Sequence, residues 1–167
     1  MRSYNGRLQK NLSDGKKSEE LFCELSGAVK GTQQEDYNHI DVHLDGLTYD
    51  VKSYKPCHAK GYVLLELKNV QGKPGWCSKY GADKIALQFD ESFWIIDTKR
   101  MLRWLQDTMI RLKTATMSIK RENSQHKKYG YEGILYKPLG RKGRKDVFVY
   151  VRKDDLKMLV ENEYAYK

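Results

Sequence analysis

The pattern of apolar and polar positions is sharpest around Asp45-Gly46, where two alternating runs meet in the stretch HIDVHLDGLTYDVK, His39 to Lys52. Alternation on both sides of an Asp-Gly pair predicts a β-hairpin closed by a two-residue turn. A further alternating run, GYVLLELK from Gly61 to Lys68, predicts another strand. Lys84 to Phe89 and Phe93 to Asp97 read as two more, separated by Asp90-Glu91-Ser92. Helical spacing of Leu21, Leu25 and Ala28 predicts a helix, with Ser18 as its N-cap and Glu19 and Glu20 in its first turn. A second helix is expected from Lys99 to about Lys113, with Met101, Leu102, Leu105, Met109 and Leu112 on its apolar side. Val147 to Val151 follows as a strand and Asp154 to Val160 as a short helix. Residues 1–17 carry glycines and asparagines among basic residues with little periodicity, so a mobile basic arm is expected there. The whole is an α/β chain, with residues 18–167 expected to form a single domain.

The hairpin has chemical consequences. With a two-residue turn, Leu44 opposes Leu47, His43 opposes Thr48, Asp41 opposes Asp50 and His39 opposes Lys52. The two-residue period then places Asp41, Asp50, Lys52, His39 and His43 on one face. Opposed Cβ atoms lie roughly 5 Å apart, so two carboxylates there repel unless a cation intervenes. The plainer alternative is a solvated hairpin face on which Lys52 partly neutralises two acids. In the Gly61 strand, Tyr62, Leu64, Glu66 and Lys68 share a face, which offers a third carboxylate.

An acid cluster beside a lysine suits phosphodiester hydrolysis. That reaction needs a hydroxide-like nucleophile and stabilisation of negative charge on the phosphoryl group, and a hard cation held by carboxylates supplies both. Lysine adds a compact positive charge able to orient water or stabilise the anion. Asp41, then Asp50-Val51-Lys52, then Glu66 resembles the PD-(D/E)XK, or restriction-endonuclease-like, nuclease superfamily. The run LELKNVQGKPGWCSKYGADKIALQF from Leu65, followed by FWIIDT from Phe93, extends the resemblance to small phage-type endonucleases over about Ser18 to Leu105. Lys60-Gly61 departs from the pattern expected before the Glu66 strand.

The resemblance implies a central mixed β-sheet flanked by helices, and Mg²⁺-dependent cleavage of DNA with Mn²⁺ able to substitute. It further implies Asp41, Asp50 and Glu66 as metal ligands and Lys52 as the charge-stabilising residue, with a further glutamate, Glu20 or Glu24, from the first helix. Glu66-Leu67-Lys68 is itself an E-x-K tripeptide, so Lys68 stands as the alternative catalytic lysine. The implied role is phage DNA processing or recombination, on branched DNA among other substrates.

Charge narrows the partners. The chain has 167 residues and a formal net charge of +9. Between Arg111 and Lys145, eleven basic residues stand against Glu122 and Glu132, which accounts for the whole excess. Lys120, Arg121, Lys127, Lys128, Arg141, Lys142, Arg144 and Lys145 are the candidate nucleic-acid contacts there, with Lys73 in the Gly72-Lys73-Pro74-Gly75 turn. Tyr129, Tyr131 and Tyr136 are interleaved with them, placed either to stack on bases or to cover the core. Phosphate contacts do not separate DNA from RNA, so an RNA nuclease and a non-catalytic nucleic-acid-binding protein are the rival readings. Cys23, Cys57 and Cys77 are too few and too far apart for a disulfide framework, and with His58 they match no usual zinc spacing. No apolar run approaches a membrane span, so a cytoplasmic protein is expected, in the host cytoplasm if phage-encoded. A homodimer would serve two-strand cleavage, although no coiled-coil pattern marks an interface.

Overall fold

A computed structural model describes residues 4–53, 61–77, 81–108, 115–117 and 139–166. The elements in chain order are α1 (Tyr4–Ser26), β1 (Val29–Lys30), α2 (Gln33–Asp36), β2 (Val42–Leu44), β3 (Leu47–Lys52), β4 (Tyr62–Lys68), β5 (Lys84–Gln88), β6 (Ser92–Asp97), α3 (Thr98–Thr108), β7 (Ala115–Met117), β8 (Leu139–Arg141), β9 (Val147–Arg152), α4 (Lys153–Lys157) and β10 (Val160–Ala165). Lys120, Arg121, Lys127, Lys128 and the three interleaved tyrosines lie outside the described residues, as do Cys57 and His58.

The chain divides into two compact units where one domain was expected. The first comprises Met1–Tyr54, Gly81–Thr98 and Val160–Lys167, and the second Lys55–Tyr80 and Lys99–Leu159. A mixed six-stranded sheet in the order β1-β2-β3-β5-β6-β10 forms the first. Its β3 and β5 run parallel, and every other pairing is antiparallel. Phe22 of α1 is fully buried among Val42, Tyr49, Val51, Ala86, Phe93 and Ile95, so α1 covers one face of this sheet. The opposite face is buried as well, at Ile85, Leu87, Trp94 and Ile96.

Several elements differ from those expected. Helix α1 starts at Tyr4, and Ser18 lies inside it, its buried hydroxyl within 3.0 Å of the Asp14 carbonyl oxygen. Gly6 and Gly15 break the apolar period that would have revealed the first half, yet Arg7, Leu8, Gln9 and Lys10 are good helix formers. The segment expected as a mobile arm is therefore helical from Tyr4. Strand β10 was not foreseen: Val160 was expected to end a short helix, and the Glu161-Asn162-Glu163 run after it shows no alternation. It is an edge strand, fastened by Lys84 Nζ to Glu161 at 2.7 Å and by Trp94 Nε1 donating to Glu163 at 3.2 Å.

Local hydrogen bonds hold the turns that lead to the hairpin. Thr32 caps α2 reciprocally: its Oγ1 accepts from Glu35 N at 3.3 Å, and its own N–H donates to Glu35 Oε2 at 2.8 Å. Thr32→Ala is expected to lower stability by about 1 kcal/mol, read as a shifted urea midpoint with unchanged slope. Asp83, a loop acid in the sequence, accepts from Thr48 N at 3.0 Å and Thr48 Oγ1 at 2.8 Å, which ties the start of β3 to the start of β5.

The second unit contains a four-stranded sheet in the order β4-β9-β8-β7. Val63, Leu65, Phe148, Val149, Tyr150 and Val151 are buried in it. The chain after β4 folds back closely. A Cβ at Gly75 would lie 2.2 Å from the Glu66 carbonyl oxygen and 2.7 Å from its carbon, both backbone atoms that have nowhere to move. Gly75→Ala should therefore destabilise the protein by about 1–3 kcal/mol, measured by thermal unfolding. An unchanged midpoint would show that this turn is not packed as described.

Candidate active site

The hairpin forms in the register read from its sequence, with Val42 opposite Tyr49, His43 opposite Thr48 and Leu44 opposite Leu47. Asp45 and Gly46 have φ of 53° and 76°, the left-handed pair that a tight primed turn requires. Beyond β2 the side chain of Asp41 takes over from the backbone ladder. Its N–H donates to the Tyr49 carbonyl at 2.8 Å, and its Oδ2 accepts from Val51 N at 2.7 Å. Gly31 N, just after β1, donates to the Asp41 carbonyl at 2.8 Å and holds the same residue from the other side. Asp41 is thus fixed next to the Asp50-Val51-Lys52 tripeptide.

Asp50 is 2 % exposed, and its carboxylate meets Lys52 and Asp41 through side-chain hydrogen bonds. The Lys52 ammonium touches its Oδ1, and His39 Nδ1 stands 4.0 Å from its Oδ2. His39 adopts φ of 60°, uncommon for a residue with a side chain. A buried carboxylate is costly, and a charge-assisted hydrogen bond from a nearby cation offsets that cost. Burial pushes the Asp41 carboxyl up to about 7, against the pull of Lys52 and with a further push from Asp50. Burial likewise raises Asp50, against Lys52. Burial alone would lower Lys52, but the two aspartates outweigh it and hold the ammonium above its ordinary value.

The first helix contributes an acid to this group, and it is Glu19. Burial raises its carboxyl, and Asp41 raises it further while Lys30 and Lys52 oppose. Glu19 lines an open cleft of about 270 Å³ together with Lys16, Lys30, Gly31, Thr32, Gln33, Asp36 and Asp41. Glu20 points elsewhere, exposed and paired with Lys30 at 3.3 Å, and Glu24 is exposed. The available signal was Phe22: the fully buried residue of α1 sits three positions after Glu19, which places Glu19 on the flank of the docked face.

The remaining candidates are distributed differently. His43 pairs with Glu35 at 3.0 Å. Glu66 and Lys68 lie on β4 of the second unit, opposite Phe148 and Val147 of β9. The strand beside β3 is β5, so the Glu66 strand is not the hairpin's sheet neighbour. Glu66 O accepts from Cys77 Sγ at 2.7 Å, and the Cys77 thiol is buried beneath it.

Among the described residues, no three His, Cys, Asp or Glu side chains converge closely enough to hold a metal ion unaided. The donor set nevertheless suits Mg²⁺, which typically takes one or two protein carboxylates and fills its other positions with water and phosphate oxygens. Asp41 and Asp50 provide two hard oxygen donors beside each other, and burial raises both carboxyls. Comparison with protein-family models, with curated proteins and with solved structures finds no match to this chain.

Proposed function

We propose that the protein is a metal-dependent endonuclease that hydrolyses phosphodiester bonds in DNA, with a restriction-endonuclease-like core in its first unit. The observation that carries this reading is the buried Asp50 carboxylate against Lys52 and beside Asp41. Asp41 and Asp50 would hold Mg²⁺ or Mn²⁺. When bound, the cation supplies Lewis-acid contact to the phosphoryl oxygens and acidifies a neighbouring water.

The chain's own residues perform the rest. Lys52 keeps its proton under the pull of two aspartates and presents a fixed positive charge to the anion that develops on phosphorus. Its contact with Asp50 sets the position of the ammonium before substrate arrives. Glu19, across the cleft, stays in electrostatic reach of Asp41 and is placed to accept a hydrogen bond from an incoming water. The positive charge of Arg111 to Lys145 supplies sequence-independent affinity for the phosphate backbone. Glu66 and Lys68, on β4 of the second unit's sheet, are the alternative reactive pair.

The direct test is incubation of supercoiled plasmid, a four-way DNA junction and a matched RNA with Mg²⁺, Mn²⁺ or chelator. Cutting of DNA with either metal and none with chelator is the expected result. Preferential cutting of RNA would reassign the substrate. Binding without cutting under every metal would refute the nuclease reading in favour of a nucleic-acid-binding protein.

A further inference from the structure

Two turns that are far apart in sequence abut at one end of the β4–β9 pair. The first follows β4 and is built by Asn69, whose Oδ1 accepts from Gln71 N at 3.0 Å and Lys73 N at 3.1 Å. Asn69 N donates to the Lys73 carbonyl at 2.9 Å, and Gly72 N donates to the Asn69 carbonyl at 2.9 Å. Gly72 sits at φ of 80°, where a side chain is strained. The second turn joins β8 to β9 through Lys142, Gly143, Arg144 and Lys145, with Gly143 at φ of 75°. They touch through Lys145: a methyl group at Gly72 would come within 3.3 Å of both its Cβ and Cδ. The aliphatic stem of Lys145 therefore lies along the first turn.

The charges collected there have one sign. Lys68 sits opposite Val147 and bridges to Pro74, which brings the end of β4 into the same place. Lys73, Lys142, Arg144 and Lys145 are all exposed. Arg144 pairs with the buried Asp146 at 3.3 Å, whereas among the described residues Lys68, Lys73, Lys142 and Lys145 form no ion pair. Like charges on neighbouring turns repel, and a polyanion relieves that repulsion while releasing its own counterions. The first turn is held by its own hydrogen bonds, so little ordering of its backbone would oppose binding.

We infer that these two turns form one edge of the second unit that anchors the phosphate backbone of duplex DNA. The inference rests on the nuclease reading only for the identity of the polyanion. It makes the second unit an anchoring unit that holds DNA without metal and without cleavage.

The test is fluorescence anisotropy of a labelled DNA duplex in chelator over a series of salt concentrations. The wild type is compared with combined Lys73→Gln, Lys142→Gln and Lys145→Gln, and with a control that removes equal charge from exposed sites elsewhere, Lys17→Gln, Lys99→Gln and Arg103→Gln. The turn variant should bind about tenfold or more weakly, with a slope of log affinity against log salt reduced by about 2–3, and the control should change far less. Equal losses in both variants, or no loss in the turn variant, would overturn the inference. So would a wild type that does not bind DNA. Because binding is read apart from cleavage, loss of duplex binding in the turn variant together with a wild type that cuts nothing in the metal assay would sink the nuclease reading and leave the anchoring edge standing.

Discussion

Asp50→Ala is expected to lower the rate of metal-dependent DNA cleavage by about 10³-fold while leaving duplex binding in chelator within a few-fold of wild type. Asp50 is buried and has Lys52 as its contacting counter-charge. Its removal takes away one of two carboxylates available to a cation and leaves the Lys52 ammonium without its nearest partner. Lys52→Ala should cost a similar factor, because Lys52 is the lysine held against Asp50. Lys68→Ala should cost much less, since Lys68 is exposed on β4 in the second unit's sheet. The opposite lysine result would move the reactive centre to the Glu66-Leu67-Lys68 tripeptide. A second readout separates chemistry from folding: Mg²⁺ should raise the melting temperature of the wild type and leave that of Asp50→Ala unmoved, since a ligand stabilises only the state that binds it. Equal metal-induced shifts in both proteins would show that Asp50 holds no cation.

Phe22→Ala should destabilise the protein by about 3–5 kcal/mol, the usual cost of deleting a fully buried aromatic ring. Phe22 is 0 % exposed. Its ring centroid lies 5.6 Å from Tyr49, 5.1 Å from Phe93 and 5.6 Å from Tyr164, in tilted and edge-on geometries that add to the area buried. These partners come from β3, β6 and β10, so the ring fastens α1 to three strands at once. A loss below about 1 kcal/mol in urea unfolding would mean that α1 is not docked as described. The substitution bears on function too, because α1 carries Glu19 to the edge of the hairpin. At a temperature where the variant is still folded, Phe22→Ala should cut more slowly than Phe22→Leu, which keeps an apolar side chain in the docked face.

What was legible in the sequence was local. Asp45-Gly46 admits a tight primed turn, and alternation on either side leaves one register that buries Val42, Tyr49 and Val51 together. The juxtaposition of Asp41 with Asp50 and Lys52 follows from that register alone, over a span of a dozen residues. The apolar strands β5 and β6 were legible for the same reason, because a short polar break between them leaves an antiparallel neighbour as the near choice.

Tertiary structure decided which strands became neighbours. β3 took β5 as its parallel partner across a long crossover, whereas β4 joined β9 in another sheet and carried Glu66 and Lys68 with it. Nothing in the pattern of GYVLLELK distinguishes these outcomes, since an alternating strand offers the same backbone hydrogen bonds to any edge. The choice of Glu19 over Glu20 also waited for packing, because adjacent helix positions point about 100° apart and only the docking of Phe22 sets which of them faces Asp41. Strand β10 was hidden for a related reason: as an edge strand it draws stability from the ladder with β6 and from Lys84 and Trp94, partners too distant in sequence to leave a mark on its own residues.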